Sequence, residues 1–104
     1  SPSDEALDRL NSGDLALVRM AAQYPRVVEA AAAAREPHRI AFYLYDLAAE
    51  FHAYWNAGND DPANRVIVAQ DPALTAARLF LVARIGQVVR NGLALLGVQA
   101  VEEM

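Results

Sequence analysis

The apolar residues Ile40, Leu44, Leu47, Phe51 and Trp55 step along the chain by four, three, four and four. That spacing keeps them on one face of an α-helix and on no single face of a strand. A helix from Pro37 to about Asn56 with such a stripe must be covered by other helices, and the rest of the chain is suited to supply them. Alanine fills 22 of 104 positions, including the run 30–34. It favours helix and lets helices approach closely. Proline, glycine and asparagine mark the breaks. Ser3 is placed to cap a short lead-in helix over Asp4 to Leu10, Asn11-Ser12-Gly13 reads as a turn, and Asp14 reads as the cap of a helix to about Gln23. Pro25 opens the next helix, to Arg35. Residues 57–71 read as a polar loop with Val66-Ile67-Val68 as an apolar anchor. A last helix is expected from Pro72 to Gly97, with Gly97 at the C′ position and a polar stripe of Arg84, Gln87, Arg90 and Asn91. The expected fold is all-α, a helical bundle with one long loop between the last two helices.

Size and charge narrow the function classes. At 104 residues roughly 60 to 65% of the unfolded surface is buried on folding, enough for one core but not for a core plus a large substrate cleft. There is no cysteine, hence no disulfide framework and no thiolate zinc site. The net charge is −4, the ends are acidic, and all nine basic residues are arginine, so a nucleic acid would have to be held by a few local arginines and aromatics rather than by bulk charge. Arginines at 19, 39, 78, 84 and 90, with Asp46 and Glu50, are expected to interrupt every apolar run before membrane-spanning length. Ser1 to Glu5 is polar and acidic, unlike a secretory leader. The expectation is a cytoplasmic protein with no membrane partner.

No constellation for catalysis is legible. His38 and His52, the two histidines, stand 14 residues apart on the expected helix, about 21 Å along its axis, too far to share a metal. Asp46 and Glu50 lie one turn apart with Arg39 and Tyr43 nearby, which reads as a solvated polar face. Gly86 and Gly92 fall inside a helix, where they permit close packing, and no glycine-rich phosphate loop exists. The expectation is no catalytic residue, no metal site and no cofactor in this chain. The aromatics carry more information. Phe42, Tyr43, Tyr45, Phe51, Tyr54 and Trp55 crowd one helix, more than one buried stripe needs. They read either as core plus rim or as rings that stack on unpaired bases, the way single-stranded RNA is recognised.

Several ordered segments resemble a known family. The run Glu36-Pro37-His38-Arg39-Ile40-Ala41-Phe42-Tyr43-Leu44-Tyr45-Asp46-Leu47 up to His52, then Thr75-Ala76-Ala77-Arg78-Leu79, then Val89-Arg90-Asn91-Gly92-Leu93 to Val98, with a final Met104, are similar to the C-terminal anticodon-binding domain of arginyl-tRNA synthetases. Tyr24-Pro25-Arg26-Val27-Val28-Glu29 fits the family's start to its second helix. The resemblance implies a helical domain of the DALR type, named for an Asp-Ala-Leu-Arg motif that stands here loosely as Ala76-Ala77-Arg78-Leu79. It implies that residues 1–104, with 1–13 as a lead-in segment, are a fragment of a longer synthetase that grips the anticodon stem and loop of arginine tRNA. A catalytic domain absent from this chain would join arginine to that tRNA using ATP. By the same resemblance Trp55 faces the anticodon and Met104 lies near the same loop, with Asn56, Tyr43, Arg84 and Arg90 as further tRNA-binding candidates.

Two departures stand out. Glu103 occupies a position where relatives often carry Arg, and the family's opening helix, with Tyr-x-His-Ala-Arg, does not precede Ser1. A bundle lacking that helix is expected to expose an apolar groove, partly covered by Asp4 to Leu10, and to self-associate. The alternative function is a helical interaction or oligomerisation module that binds no RNA.

Overall fold

The computed structural model describes residues 3–103. The order of elements is α1 (Asp4–Asp8), α2 (Ser12–Ala22), α3 (Tyr24–Ala34), α4 (His38–Asp60), a single 3-10 turn (Pro62–Asn64) and α5 (Pro72–Glu103). No strand forms among the described residues, so the fold is the expected all-α bundle. It is slender, with principal extents of 52 × 27 × 19 Å and a radius of gyration of 15.7 Å.

Local chemistry sets the breaks. The Ser3 hydroxyl accepts from the Ala6 amide and caps α1. Helix α2 starts earlier than expected, because Asn11 rather than Asp14 is its cap. Asn11 Oδ1 accepts from the Asp14 amide while Asp14 Oδ2 accepts from the Asn11 amide, each at 2.9 Å, a reciprocal capping box. Pro25 sits in the first turn of α3, where its missing N–H costs nothing. Arg35 ends that helix in the left-handed region at φ 55°, and α4 begins directly after Pro37.

Helices α4 and α5 run antiparallel, with Gly92 against Leu44 near one end and Leu79 and Val82 around Trp55 near the other. A Cβ at Gly92 would stand 2.7 Å from Leu44 Cδ1, so the glycine is what allows this approach. The core is built from Leu17, Ala31, Ile40, Tyr43, Leu44, Leu47, Leu81 and Ile85. Tyr43 closes it from inside. Its hydroxyl donates to the Met20 carbonyl at 2.7 Å, and burial pushes its ionisation up. Helix α1 packs on α5 through buried Ala6, and Arg9 reaches Asp71, the residue that opens α5, at 2.9 Å.

Four expectations are corrected here. Helix α4 persists one turn beyond Asn56, to Asp60, so the connection before α5 is shorter than residues 57–71 and includes a 3-10 turn. Within it Val66 and Val68 anchor in the core while Ile67 points outward. Gly97 is not a C′ residue; α5 passes through it with ordinary helical geometry to Glu103, and nothing stands within 4 Å of where its Cβ would be. The buried stripe of α4 also ends early. Ile40, Leu44 and Leu47 are buried and Phe51 is half-buried, but Trp55 is 54% exposed, because Leu79 and Val82 of α5 stand beside it around an open recess instead of closing over it. Finally, arginines do not break up every apolar run. By length and composition α5 is long enough to cross a membrane, its most apolar stretch reaching a mean hydropathy of 1.4, since Arg84 and Arg90 are each separated by several apolar residues.

Candidate functional site

The end of α4 makes a recess of about 390 Å³ whose walls include Trp55, Asn59, Arg65, Ile67, Leu79 and Val82. Three apolar side chains there are open to solvent: the Trp55 indole, Ile67 at 67% exposure, and Leu79. Phe51 flanks the indole, the ring centroids 6.4 Å apart. An indole face beside two exposed aliphatic groups, with amide and guanidinium side chains at the rim, suits a planar aromatic ligand that carries polar edges.

A buried polar cluster outside the recess lines a neighbouring cavity and reaches the wall that carries Arg65. Asp14, from α2, is fully buried and Arg78, from α5, is 1% exposed. Arg78 Nε donates to both carboxylate oxygens, at 3.1 and 3.2 Å, and the Tyr54 hydroxyl of α4 donates to Asp14 Oδ1 at 2.7 Å. The same carboxylate therefore closes the capping box of α2, pairs with Arg78 and receives Tyr54. Burial, and then the bond to the Asp14 carboxylate, raise the Tyr54 ionisation well above its ordinary value. Arg78 Nη1 continues outward to the carbonyls of Ala63 and Arg65, 2.7 Å from each.

The six side chains singled out in the sequence do not converge. Trp55 lies on the recess. Asn56 is exposed and is not among the residues lining it. Tyr43 is not on a helix surface, as expected, but in the core, since its position on α4 faces α2 and its hydroxyl is consumed by the Met20 carbonyl. Arg84 lies along a different groove, of about 430 Å³, between α1, α2 and α5, where it shares the lining with Leu7, Val18 and Phe80. Its guanidinium sits 5.4 Å over the Phe80 ring and donates to Gln87. Arg90 is exposed and, eleven residues on from Leu79, falls on the Leu79 flank of α5. Met104 lies outside the described residues; α5 carries Glu103 on the order of 30 Å along the helix axis from Val82.

Asn59, Arg65, Ile67 and Leu79 were not legible as neighbours of Trp55. Their only sequence signal was that a polar segment containing an apolar triplet followed the aromatic helix. Of the other titratable candidates, His38 Nε2 lies 3.0 Å from Glu36, Asp46 and Glu50 are exposed, and no set of three metal-ligating side chains comes together among the described residues. A hydrogen bond from Arg39 holds the Glu36 carboxyl below its usual range.

The sequence profile of the DALR anticodon binding domain matches residues 1–104. The chain belongs to the DALR anticodon-binding domain family. Among curated relatives, this DALR domain is 65% identical to an arginine–tRNA ligase of Novosphingobium aromaticivorans over 100% of its own length and 18% of the relative's. It is 54% identical to an arginine–tRNA ligase of a Chelativorans species over 95% of the chain, and 56% identical to that of Nitrobacter hamburgensis over 95%, each time covering 17% of the relative. The DALR domain thus spans less than a fifth of the length of the relatives it matches. No solved structure matches it.

Proposed function

We propose that the chain is the anticodon-binding part of an arginine–tRNA ligase, receiving the anticodon stem and loop of arginine tRNA so that a catalytic domain elsewhere in the longer protein can aminoacylate it with ATP. The relatives' shared name and the family membership support this reading. The observation that carries it is Trp55, an indole left 54% exposed on a recess with polar rim groups. Burying such a ring inside the bundle would have been the cheaper arrangement, and its exposure leaves a face on which an unpaired base can stack, worth roughly 1 to 3 kcal/mol per base.

In this reading Trp55 is the platform, Asn59 and Arg65 are the nearest polar groups, and Arg90 offers a charge on the same flank of α5. Asn56 and Arg84 contribute at most to the surrounding stem, and Tyr43 makes no contact. Met104 enters only through the family resemblance. The chain itself binds no ATP, and the whole protein acts in the cytoplasm without a membrane partner. Burying Arg84 and Arg90 in a bilayer would cost roughly 2.5 to 3.5 kcal/mol each at mid-depth.

A mobility-shift assay with arginine tRNA, with the same tRNA carrying an altered anticodon, and with Trp55→Ala tests the proposal. Preferential binding of the native tRNA, lost on Trp55→Ala without unfolding, is expected. Equal affinity for both tRNAs and for both proteins would return the domain to an interaction module that reads no anticodon.

A further inference from the structure

Trp55 supplies one wall of the recess, and the opposite wall is the connection from Asp61 to Val68, which has little secondary structure of its own. Side chains hold it in place. Arg78 Nη1 donates to the carbonyls of Ala63 and Arg65, two residues apart, so a single atom fixes the chain on both sides of Asn64. Arg65 Nε in turn donates to the Gly58 carbonyl at 3.1 Å, and a Cβ on Gly58 would meet Arg65 Cα at 3.1 Å, so the wall lies directly on the last turn of α4. At the far end Thr75 Oγ1 accepts from the Val68 amide at 2.8 Å and donates to its carbonyl. The guanidinium cannot swing away, since Nε is engaged by a carboxylate that Tyr54 and the Asn11 amide also hold.

A buried ion pair is a poor device for stability alone, because well-packed apolar residues of the same volume often serve as well or better. An apolar pair, however, cannot offer two donors to the carbonyls of the connection. We propose that Arg78 is a positioning residue for RNA binding: anchored by Asp14, it holds the Ala63–Arg65 segment so that the recess beside Trp55 is formed before an unpaired base arrives. The inference rests on the anticodon-binding reading and assigns the arginine of the Ala76-Ala77-Arg78-Leu79 segment an inward role, with no contact to RNA. Preformed walls matter because ordering a loop on binding is subtracted from affinity.

The test uses the full chain, whose single tryptophan reports on the recess. Arg78→Lys keeps the charge beside Asp14 but cannot reach both carbonyls. Asp14→Leu combined with Arg78→Met keeps the volume and removes the charges. Far-UV circular dichroism establishes folding, acrylamide quenching reads Trp55 in the free protein, and an RNA hairpin carrying an arginine anticodon reads affinity. Both variants are expected to fold, to raise the quenching constant, and to bind the hairpin about ten-fold more weakly, within the range of one stacked base. Trp55→Ala added to Arg78→Lys should then cost less than about two-fold more, because both changes damage one recess. Folded variants with wild-type quenching and wild-type affinity would overturn the assignment. Failure of both to fold would make the pair a requirement of the fold and overturn it as well. A wild-type chain that ignores the hairpin, while Arg78→Lys still alters quenching, would overturn the RNA reading and leave the positioning of the wall standing.

Discussion

Asp14 shows how much one side chain can do and how little of it is legible locally. As the third residue of α2 it has the sequence signature of a capping residue, and it does close a capping box with Asn11. Its partner Arg78 is 64 positions away, and no spacing rule connects the two. Removing Arg78 alone, as in Arg78→Met, leaves a buried carboxylate with its main charge partner gone and is expected to cost about 3 to 5 kcal/mol in urea unfolding. A loss below about 1 kcal/mol would mean that the pair is solvated. Tyr54 adds a pH signature. Its ionisation is raised by burial and by Asp14, and that of Tyr43 by burial and by Tyr24, above the ordinary value of 10.0. The folded state therefore holds protons that the unfolded chain releases. Their contribution is fully present below about pH 10 and is lost as pH rises above it. Unfolding free energy should fall as pH rises above about 10, and Tyr54→Phe should flatten part of that fall. A flat profile in the wild-type chain would contradict the buried hydroxyls.

At the scale of elements the helices were legible because their periodicity and punctuation are local: proline at the starts of α3 and α5, and the apolar stripe of α4. The ends were less so. Gly97 carries the composition of a helix stop, yet the residues after it continue α5, and one solvent-facing glycine costs a helix only about 1 kcal/mol. Trp55 continues the period of the stripe, but periodicity reports the face of a helix and not whether a neighbour still covers it. The two glycines of α5 give opposite expectations. Gly97→Ala, with open space around the new methyl group, should stabilise the chain by about 0.5 to 1 kcal/mol. Gly92→Ala, which drives a methyl group into Leu44, should destabilise it by about 1 to 3 kcal/mol. Thermal unfolding of both variants checks this. A destabilised Gly97→Ala would mean that the helix ends there.

As a whole molecule the bundle is thin. A compact chain of about 100 residues has a radius of gyration near 13 Å, against 15.7 Å here. Much of the length of α5 is covered on one side only, and Leu93, Val98 and Val101 stand exposed. The lead-in helix α1 lies against α5 and leaves open the groove lined by Leu7, Val18 and Phe80. Exposed apolar surface on this scale is expected to find a partner. Sedimentation equilibrium from about 10 μM upward should show the mass rising with concentration, and a strict monomer that binds no hydrophobic dye would show the groove to be closed in solution. The candidate site was legible only in its centre. An aromatic helix and a family resemblance pointed to Trp55, while the walls that make a recess of it come from a connection without periodicity, fixed by a buried arginine.

The central claim is that Trp55 receives an unpaired base of the anticodon loop. The most direct measurement follows Trp55 fluorescence while the full chain is titrated with an RNA hairpin carrying an arginine anticodon. Saturable quenching is predicted, weaker for a hairpin with an altered anticodon, and with a salt dependence of only about one to three phosphate contacts, because the chain carries a net charge of −4. Unchanged Trp55 emission at hairpin concentrations where a mobility shift shows the complex formed would contradict it.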